Sequence, residues 1–186
     1  EISFDTMLDT IRALCMDPDI NLDKKVYHSE MSHISRNRAI AYLLESKGYI
    51  EKNKDVENSL HFYVKMCSLS VTAESLAGLG LILANDGIHP DTGKRLLSSQ
   101  AVKIVKTLMF TCGMYDGSGE FAVRVGIPSK SGVGGGILSV VDGEMGIGIF
   151  GPALDKKGNS VAGECVLEYM SHELHLHMFD PQRHTL

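Results

Sequence analysis

Past Tyr115-Asp116-Gly117-Ser118-Gly119 the sequence changes its hydrophobic period, and this change limits the possible folds more than any other feature. Before it, apolar residues recur at helical spacing. Phe4, Met7, Leu8, Ile11 and Leu14 follow a Ser3 N-cap, and Asp23 opens a short helix to about Ser29. A longer helix is predicted from about Ser32 to Ser46, with Ile34, Ala39, Ile40 and Leu43 apolar and Gly48 behind it. Leu60, Tyr63, Val64 and Cys67 form a further stripe over Val56–Met66. Thr72 caps Ala73–Ala84, and Ser98 or Ser99 caps Gln100–Phe110. After the change, Phe121–Ile127, Gly136–Val141 and Glu144–Phe150 read as strands, with Asp142-Gly143 as a two-residue hairpin signal. Gly146 and Gly148 alternate with Met145, Ile147 and Ile149, which predicts a strand face closely covered by a helix. Ser160 caps a last helix, Val161 to about Leu174, with Val161, Cys165, Val166, Tyr169 and Met170 inward. The pattern is α+β: a helical lobe over 1–115, then over 116–186 about three antiparallel strands and a covering helix. A sheet this thin is expected to take further strands from chain outside these 186 residues.

Composition bounds the partners. Hydrophobic residues make up 44% and charged residues 22%, the balance of a water-soluble domain. A net charge of −5 argues against nucleic acid and anionic membrane surfaces, both of which call for a basic stripe. No apolar run reaches the ~18 residues of a membrane span. The start, Glu1-Ile-Ser-Phe, carries neither an initiator Met nor a signal-peptide pattern, so the native polypeptide is expected to begin earlier. Cys15, Cys67, Cys112 and Cys165 are far apart and lie near apolar residues, which predicts reduced, buried thiols in an intracellular protein. His172 and His175 would share a helix face while His177 points away. That is a solvated helix end, and no metal site is expected.

Chemistry gathers at Lys130-Ser-Gly-Val-Gly-Gly-Gly136. Glycines let backbone N–H groups approach a ligand, and a lysine and a hydroxyl beside exposed amides suit an anion or a developing oxyanion. The stretch is not a P-loop, since no Gly-Lys-Ser/Thr follows the glycines. Nor is it a dinucleotide fingerprint, since Ile137 takes the last glycine position. Lys130-Ser131-Gly132 on a strand edge instead resembles the K-T-G element of serine β-lactamases and penicillin-binding proteins.

Four ordered stretches sharpen that resemblance: Ser29-Glu-Met-Ser-His-Ile-Ser-Arg-Asn-Arg-Ala-Ile-Ala41, Tyr63-Val-Lys-Met-Cys-Ser68, Gly113-Met-Tyr-Asp116 and Lys130–Gly136. Together with Gly158-Asn-Ser160 and Ala162-Gly163 they resemble the serine-dependent glutaminases, a family with a β-lactamase-like fold. The resemblance implies hydrolysis of L-glutamine to L-glutamate and ammonia through an acyl-enzyme, without a cofactor. Glu30 and Asn37 are seven residues apart, which on one continuous helix is two turns and a rise of about 10 Å. The carboxylate would accept from the substrate's α-ammonium and the amide would donate to its α-carboxylate, with Arg36 a candidate structural ion-pair partner. Spacing alone puts Tyr63 on an apolar stripe. The resemblance implies that its hydroxyl enters the substrate pocket. It also implies proton transfer by Tyr115, whose phenol is held in a glycine-rich turn, and an oxyanion-hole N–H from Val133.

Two elements of the family have no counterpart here. Its nucleophile is the serine of an S-x-x-K motif, and no serine here has a lysine three residues on. Its early substrate-binding asparagine has no counterpart either. The chain is therefore expected to be the C-terminal part of a glutaminase domain, inactive by itself. The alternatives are a β-lactam-recognising acyl-transfer enzyme, permitted by Lys130-Ser131-Gly132, and a non-catalytic fragment acting only in self-association. The resemblance implies a homo-oligomer, dimer or tetramer. A cytoplasmic protein is expected, with a mitochondrial one as the alternative.

Overall fold

The structure, a computed structural model, describes residues 2–51 and 55–184. It divides into two compact units. The first comprises the chain through Ile11 and Pro18–Val71, and the second comprises Arg12–Asp17 and the chain from Thr72 onward. Residue 115, the expected end of the helical lobe, lies inside the second unit.

The first unit takes helix α1 (Phe4–Cys15) through Ile11, then strand β1 (Asn21–Leu22), α2 (Lys24–Ser32), α3 (Ser35–Ser46), α4 (Val56–Cys67) and β2 (Leu69–Ser70). The two short strands pair antiparallel, Asn21 opposite Ser70. Ser3 Oγ accepts from Thr6 N–H at 3.1 Å, and Asp23 Oδ1 accepts from Lys25 and Val26 N–H, so both expected caps are made. Ile34, Val56, Leu60 and Val64 form the core, with Tyr27 and Met31 packed on it. A bidentate Arg38–Glu57 pair at 2.8 and 3.0 Å ties α3 to α4, so Arg38 rather than Arg36 is the structural cation.

The helix predicted from about Ser32 to Ser46 is α3, which begins at Ser35, and it is not continuous with the helix that carries Glu30. α2 ends at Ser32, where Ser32 Oγ donates to Ser29 O, and His33 Nδ1 lies 3.0 Å from the same carbonyl. These side chains compete for a helical acceptor, and the chain turns at His33 before α3 begins. Glu30 and Asn37 therefore stand on different helices.

The second unit is built on β3 (Ser129–Ser131), β4 (Gly136–Val141) and β5 (Met145–Phe150), antiparallel in that order. Helices α5 (Ala73–Ala84) and α6 (Ser99–Cys112) cover one face, and α8 (Val161–Glu173) covers the other. Along β4, Leu138 and Val140 enter the cluster of Leu83, Val102 and Met109. Ile137 and Val141 enter that of Phe121, Val125, Ile147 and Leu167. This is the period of two carrying a strand between two helical layers. The glycine face of β5 is covered as expected. A Cβ on Gly148 would lie 2.7 Å from Ala77 N and closer still to Ala73 O, both on α5. The Asp142-Gly143 hairpin is present, with Glu144 as a third loop residue and Gly143 at φ +75°. Thr72, Ser98 and Ser160 all cap their helices.

Three expectations are corrected in this unit. Phe121–Val125 is not a strand but lies in helix α7 (Ser118–Arg124) and its C-cap. Phe121 and Val125, four apart, bury side by side at 3% and 0% exposure, while Arg124 faces Glu120 one turn back and reaches Glu164 and Glu168 on α8. On α8 the buried residues are Gly163, Leu167 and Ser171, whereas Val161, Cys165, Val166 and Tyr169 are exposed and Met170 is half-buried. The four cysteines are free, but only Cys15 is buried. Among the described residues no helix is long and apolar enough to cross a membrane.

Candidate active site

The turn that carries Tyr115 is fastened by three consecutive carbonyls. Gly113 O accepts from Ser131 N–H at 3.1 Å, Met114 O from Gly117 N–H at 3.0 Å, and Tyr115 O from Ser118 Oγ at 2.8 Å. Ser118 Oγ accepts in turn from Met114 N–H. The turn holds Tyr115 at φ +51°, a left-handed conformation costing roughly 1–2 kcal/mol for a residue with a Cβ. Its ring is left 40% exposed.

Beside it, Gly132–Gly135 close the β3–β4 hairpin. Gly132 N–H donates to Gly136 O and Gly135 N–H to Gly132 O, both at 2.9 Å. Val133 at the tip is 64% exposed, and its N–H has no acceptor among the described residues. Added Cβ atoms at Gly132 and Gly134 would meet nothing within 4 Å, so the tip is open to a ligand. Gly135 at φ +95° serves packing instead, with its carbonyl accepting from Gly151 N–H.

Gly158 joins the two pieces. A Cβ placed there would lie 3.6 Å from Val133 Cγ1 and 3.7 Å from the Tyr115 ring. The Lys130 ammonium stands 4.7 Å from the centre of that ring and donates to Ser131 O. The structure thus brings Tyr115, Val133 and Lys130 together, and this arrangement can offer a backbone donor, a phenol and a cation to one developing anion. Asp155 holds the loop from below. Its carboxyl accepts from the Asn159 backbone N–H, then from Lys157 N–H, and these bonds lower its pKa from the ordinary 3.8.

The other three predicted residues belong to the first unit, on three helices of which α4 packs against both others. Glu30 is exposed on α2 and Asn37 half-buried on α3. Tyr63 on α4 is 51% exposed, because the helix buries Val56, Leu60 and Val64 on its other flank.

A cavity of about 460 Å³ in the second unit involves none of these residues. Its lining includes Arg124, Glu168, His172, His175, His177 and Asp180. α8 ends at Glu173, so His172 and His175 do not share a helix face, and His175 lies 3.1 Å from Asp180. Among the described residues no group of three or more His, Cys, Asp or Glu could hold a metal ion.

Sequence reasoning passed over Asn159, which is 0% exposed. Its Oδ1 accepts from Ser131 Oγ at 2.6 Å, and its Nδ2 donates to Met114 O at 3.1 Å. The sequence signal is its place in Gly158-Asn159-Ser160, a stretch that shares in the family resemblance but carries no role for the amide.

Known proteins resemble this chain over most of its length. The Glutaminase family matches residues 1–179. A glutaminase of Clostridium tetani is 53% identical over 173 residues, covering 93% of this chain and 56% of that protein. One from Fusobacterium nucleatum is 52% identical over 176 residues, 95% of this chain and 57% of that protein. The chain thus spans somewhat more than half the length of these relatives. A crystal structure of Bacillus glutaminase in 4.3 M NaCl superposes with a TM-score of 0.88 at 39% identity, covering 95% of this chain and 60% of that one. A Bacillus subtilis glutaminase, solved as a covalent complex with 5-oxo-L-norleucine after reaction with 6-diazo-5-oxo-L-norleucine, gives the same score and identity over 94% and 61%. With its α+β, β-lactamase-like architecture, the chain belongs to the glutaminase family.

Proposed function

We propose that this chain supplies the substrate-binding and oxyanion-stabilising part of a serine-dependent glutaminase, which hydrolyses L-glutamine to L-glutamate and ammonia. The observation that carries the reading is the meeting of the Tyr115 ring and Val133 at Gly158, with the Val133 N–H unclaimed by the fold. In this reading a serine hydroxyl attacks the side-chain amide carbon of glutamine. The Val133 N–H donates to the oxyanion that forms as the carbonyl π bond opens, and Tyr115 passes a proton to the departing ammonia. Water then cleaves the acyl-serine. Glu30 receives the substrate's α-ammonium, Asn37 donates to its α-carboxylate, and Tyr63 contributes its hydroxyl to the substrate pocket.

The serine lies in an S-x-x-K segment of the longer protein, because no serine among these 186 residues has lysine at the third following position. The relatives named above are bacterial, which supports a cytoplasmic enzyme. Exposed Ile104 and Leu108 on α6 support self-association into a dimer or tetramer.

The test is glutamine hydrolysis by the protein expressed from its own gene, with intact mass on the same sample, beside a polypeptide of these residues alone. A mass above 20.3 kDa with activity, and no turnover by the 186-residue polypeptide, is the expected result. Full turnover by the short polypeptide would overturn the assignment of the nucleophile. Capture by a β-lactam without turnover of glutamine would replace the substrate.

A further inference from the structure

We propose that Asn159 is a positioning residue of this site, the link that holds the Tyr115 turn in register with the oxyanion hairpin. The inference rests on the roles given above to Tyr115 and Val133.

The argument begins from burial. An amide with 0% exposure needs partners for both its ends, and Asn159 divides them between two elements. Its Nδ2 donates to Met114 O, the carbonyl of the peptide that enters Tyr115. Its Oδ1 accepts from Ser131, two residues before Val133. Ser131 is also buried, and its own N–H donates to Gly113 O. A closed circuit therefore runs from strand β3 to the Tyr115 turn and back through one side chain. Gly158, the preceding residue, lies between them: a Cβ placed there would be 3.6 Å from Val133 Cγ1 and 3.7 Å from the Tyr115 ring. Asn159 itself presents no exposed atom to a substrate, so it acts through the residues it fixes.

The strain at Tyr115 gives the circuit its purpose. A φ of +51° persists only where surrounding bonds over-determine it. Without the Nδ2 donor, Met114 O keeps only Gly117 N–H, and the ties left between the turn and β3 all end one residue earlier, at Gly113 O, which accepts from Ser131 N–H at 3.1 Å and Ser131 Oγ at 3.4 Å. Tyr115 can then relax away from the hairpin tip while the rest of the unit remains packed.

The test is made in the full-length protein that contains this chain, and glutamine turnover by the parent is measured first. Asn159→Ala is expected to lower kcat about 100-fold, the effect of misplacing a reacting group by an ångström. KM for glutamine is expected to stay within about threefold, since the substrate-binding residues are untouched. Asn159→Asp supplies a readout that a merely structural residue would not move. Ionised, it sets an oxygen against Met114 O; protonated, it donates there and still accepts from Ser131. Its kcat relative to the parent is therefore expected to rise about tenfold or more as the acid protonates on acidification. The charged groups around it are Asp155 on its own loop, the Lys157–Glu120 pair reaching α7, and Lys130 on β3.

A third readout does not depend on glutamine. The carbon-13 resonance of labelled Tyr115 Cζ, assigned by its loss in Tyr115→Phe, is expected to move in Asn159→Ala while those of the other tyrosines stay. A folded Asn159→Ala with kcat within about threefold of the parent overturns the proposal. So does an Asn159→Asp pH profile parallel to the parent's, or an unmoved Tyr115 resonance. If Asn159→Ala does not fold, the isosteric Asp variant decides by its pH profile. If the parent does not hydrolyse glutamine, the functional reading fails and the Tyr115 resonance alone decides this one.

Discussion

Replacing Gly148 by alanine tests the most consequential packing contact of the second unit. The new Cβ would sit 2.7 Å from Ala77 N and closer to Ala73 O, where real Cβ atoms come no nearer than about 3.0 Å and ordinary contact begins at 3.4 Å. Both neighbours are backbone of α5, so no side chain can swing aside, and the helix has to withdraw from the sheet by about 1 Å. Gly146 and Gly80 face each other on the same interface, with 2.7 Å between a Cβ on Gly80 and the Gly146 Cα, so there is no slack one turn further on. A gap of this size forfeits a quarter to a half of each dispersion contact across it. The contacts at stake join Leu76, Leu79 and Leu83 on α5 to Leu138 and Val140. Overpacking of this kind costs about 3 kcal/mol, at the upper end of the usual range because the clash is with main chain. For a protein of this size that lowers Tm by about 6–12 °C. Thermal and urea unfolding followed by circular dichroism measures it, with Gly119→Ala as control. Gly119 lies in helix α7 with nothing within 4 Å of an added Cβ, so alanine there should be neutral or stabilise by up to about 1 kcal/mol. Gly148→Ala within about 0.5 kcal/mol of the parent would refute the close-contact reading.

Three further outcomes are expected. Val133→Pro removes an N–H that no structural bond uses, so the full-length protein should keep its Tm and lose about 100- to 1000-fold in kcat; full activity would remove Val133 from the oxyanion hole. Asp155, lowered chiefly by the Asn159 N–H, contributes stability that is complete above the unfolded value near 3.8 and is lost as pH falls through the lower folded value. Hydrogen exchange at the Lys157 and Asn159 amides should therefore quicken in acid below that value, and Asp155→Asn should abolish the step. Cys15 is 4% exposed, with a thiol that burial and then Asp17 push up to about 11, so iodoacetamide should label it last of the four cysteines; labelling at the rate of Cys67 would contradict its burial.

What the sequence made legible was local chemistry. Ser3, Asp23, Thr72, Ser98 and Ser160 all cap as their side chains predict, because a cap depends on groups within three residues of itself. The alternating glycines of β5 likewise announced a close neighbour without naming it. Errors arose where hydrophobicity was used as a substitute for fit. On α8 hydrophobicity alone points the bulky apolar residues inward, but the helix lies so near β4 that a Cβ on Gly163 would come within 2.8 Å of Ile137 Cδ1. At Gly163 only a small residue fits, one turn on Leu167 is fully buried, and a turn further Ser171 donates to Val125 O at 2.6 Å. Over Phe121–Val125 the letters satisfy two periods at once, and burial of the i, i+4 pair decides for the helix.

The candidate site shows the same division more sharply. Tyr115 and Val133 can be nominated from sequence because each sits in a glycine-marked motif whose backbone geometry is local. What places them against each other is not local: Lys130 reaches over a ring fifteen residues earlier in the chain, and Asn159 bonds to residues 28 and 45 positions away. Gly158-Asn159-Ser160 marks a stretch of the family resemblance, but a lone buried amide has no period of its own, so the stretch does not say which residues Asn159 bonds. The sheet carries the dependence further. Gly148 stands opposite Leu138, and Leu138 opposite Lys130, so the rung on which α5 presses is also the rung that ends in the K-S-G lysine. The glycines of β5 therefore set how deep α5 rests on a three-stranded sheet whose edge strand carries Lys130.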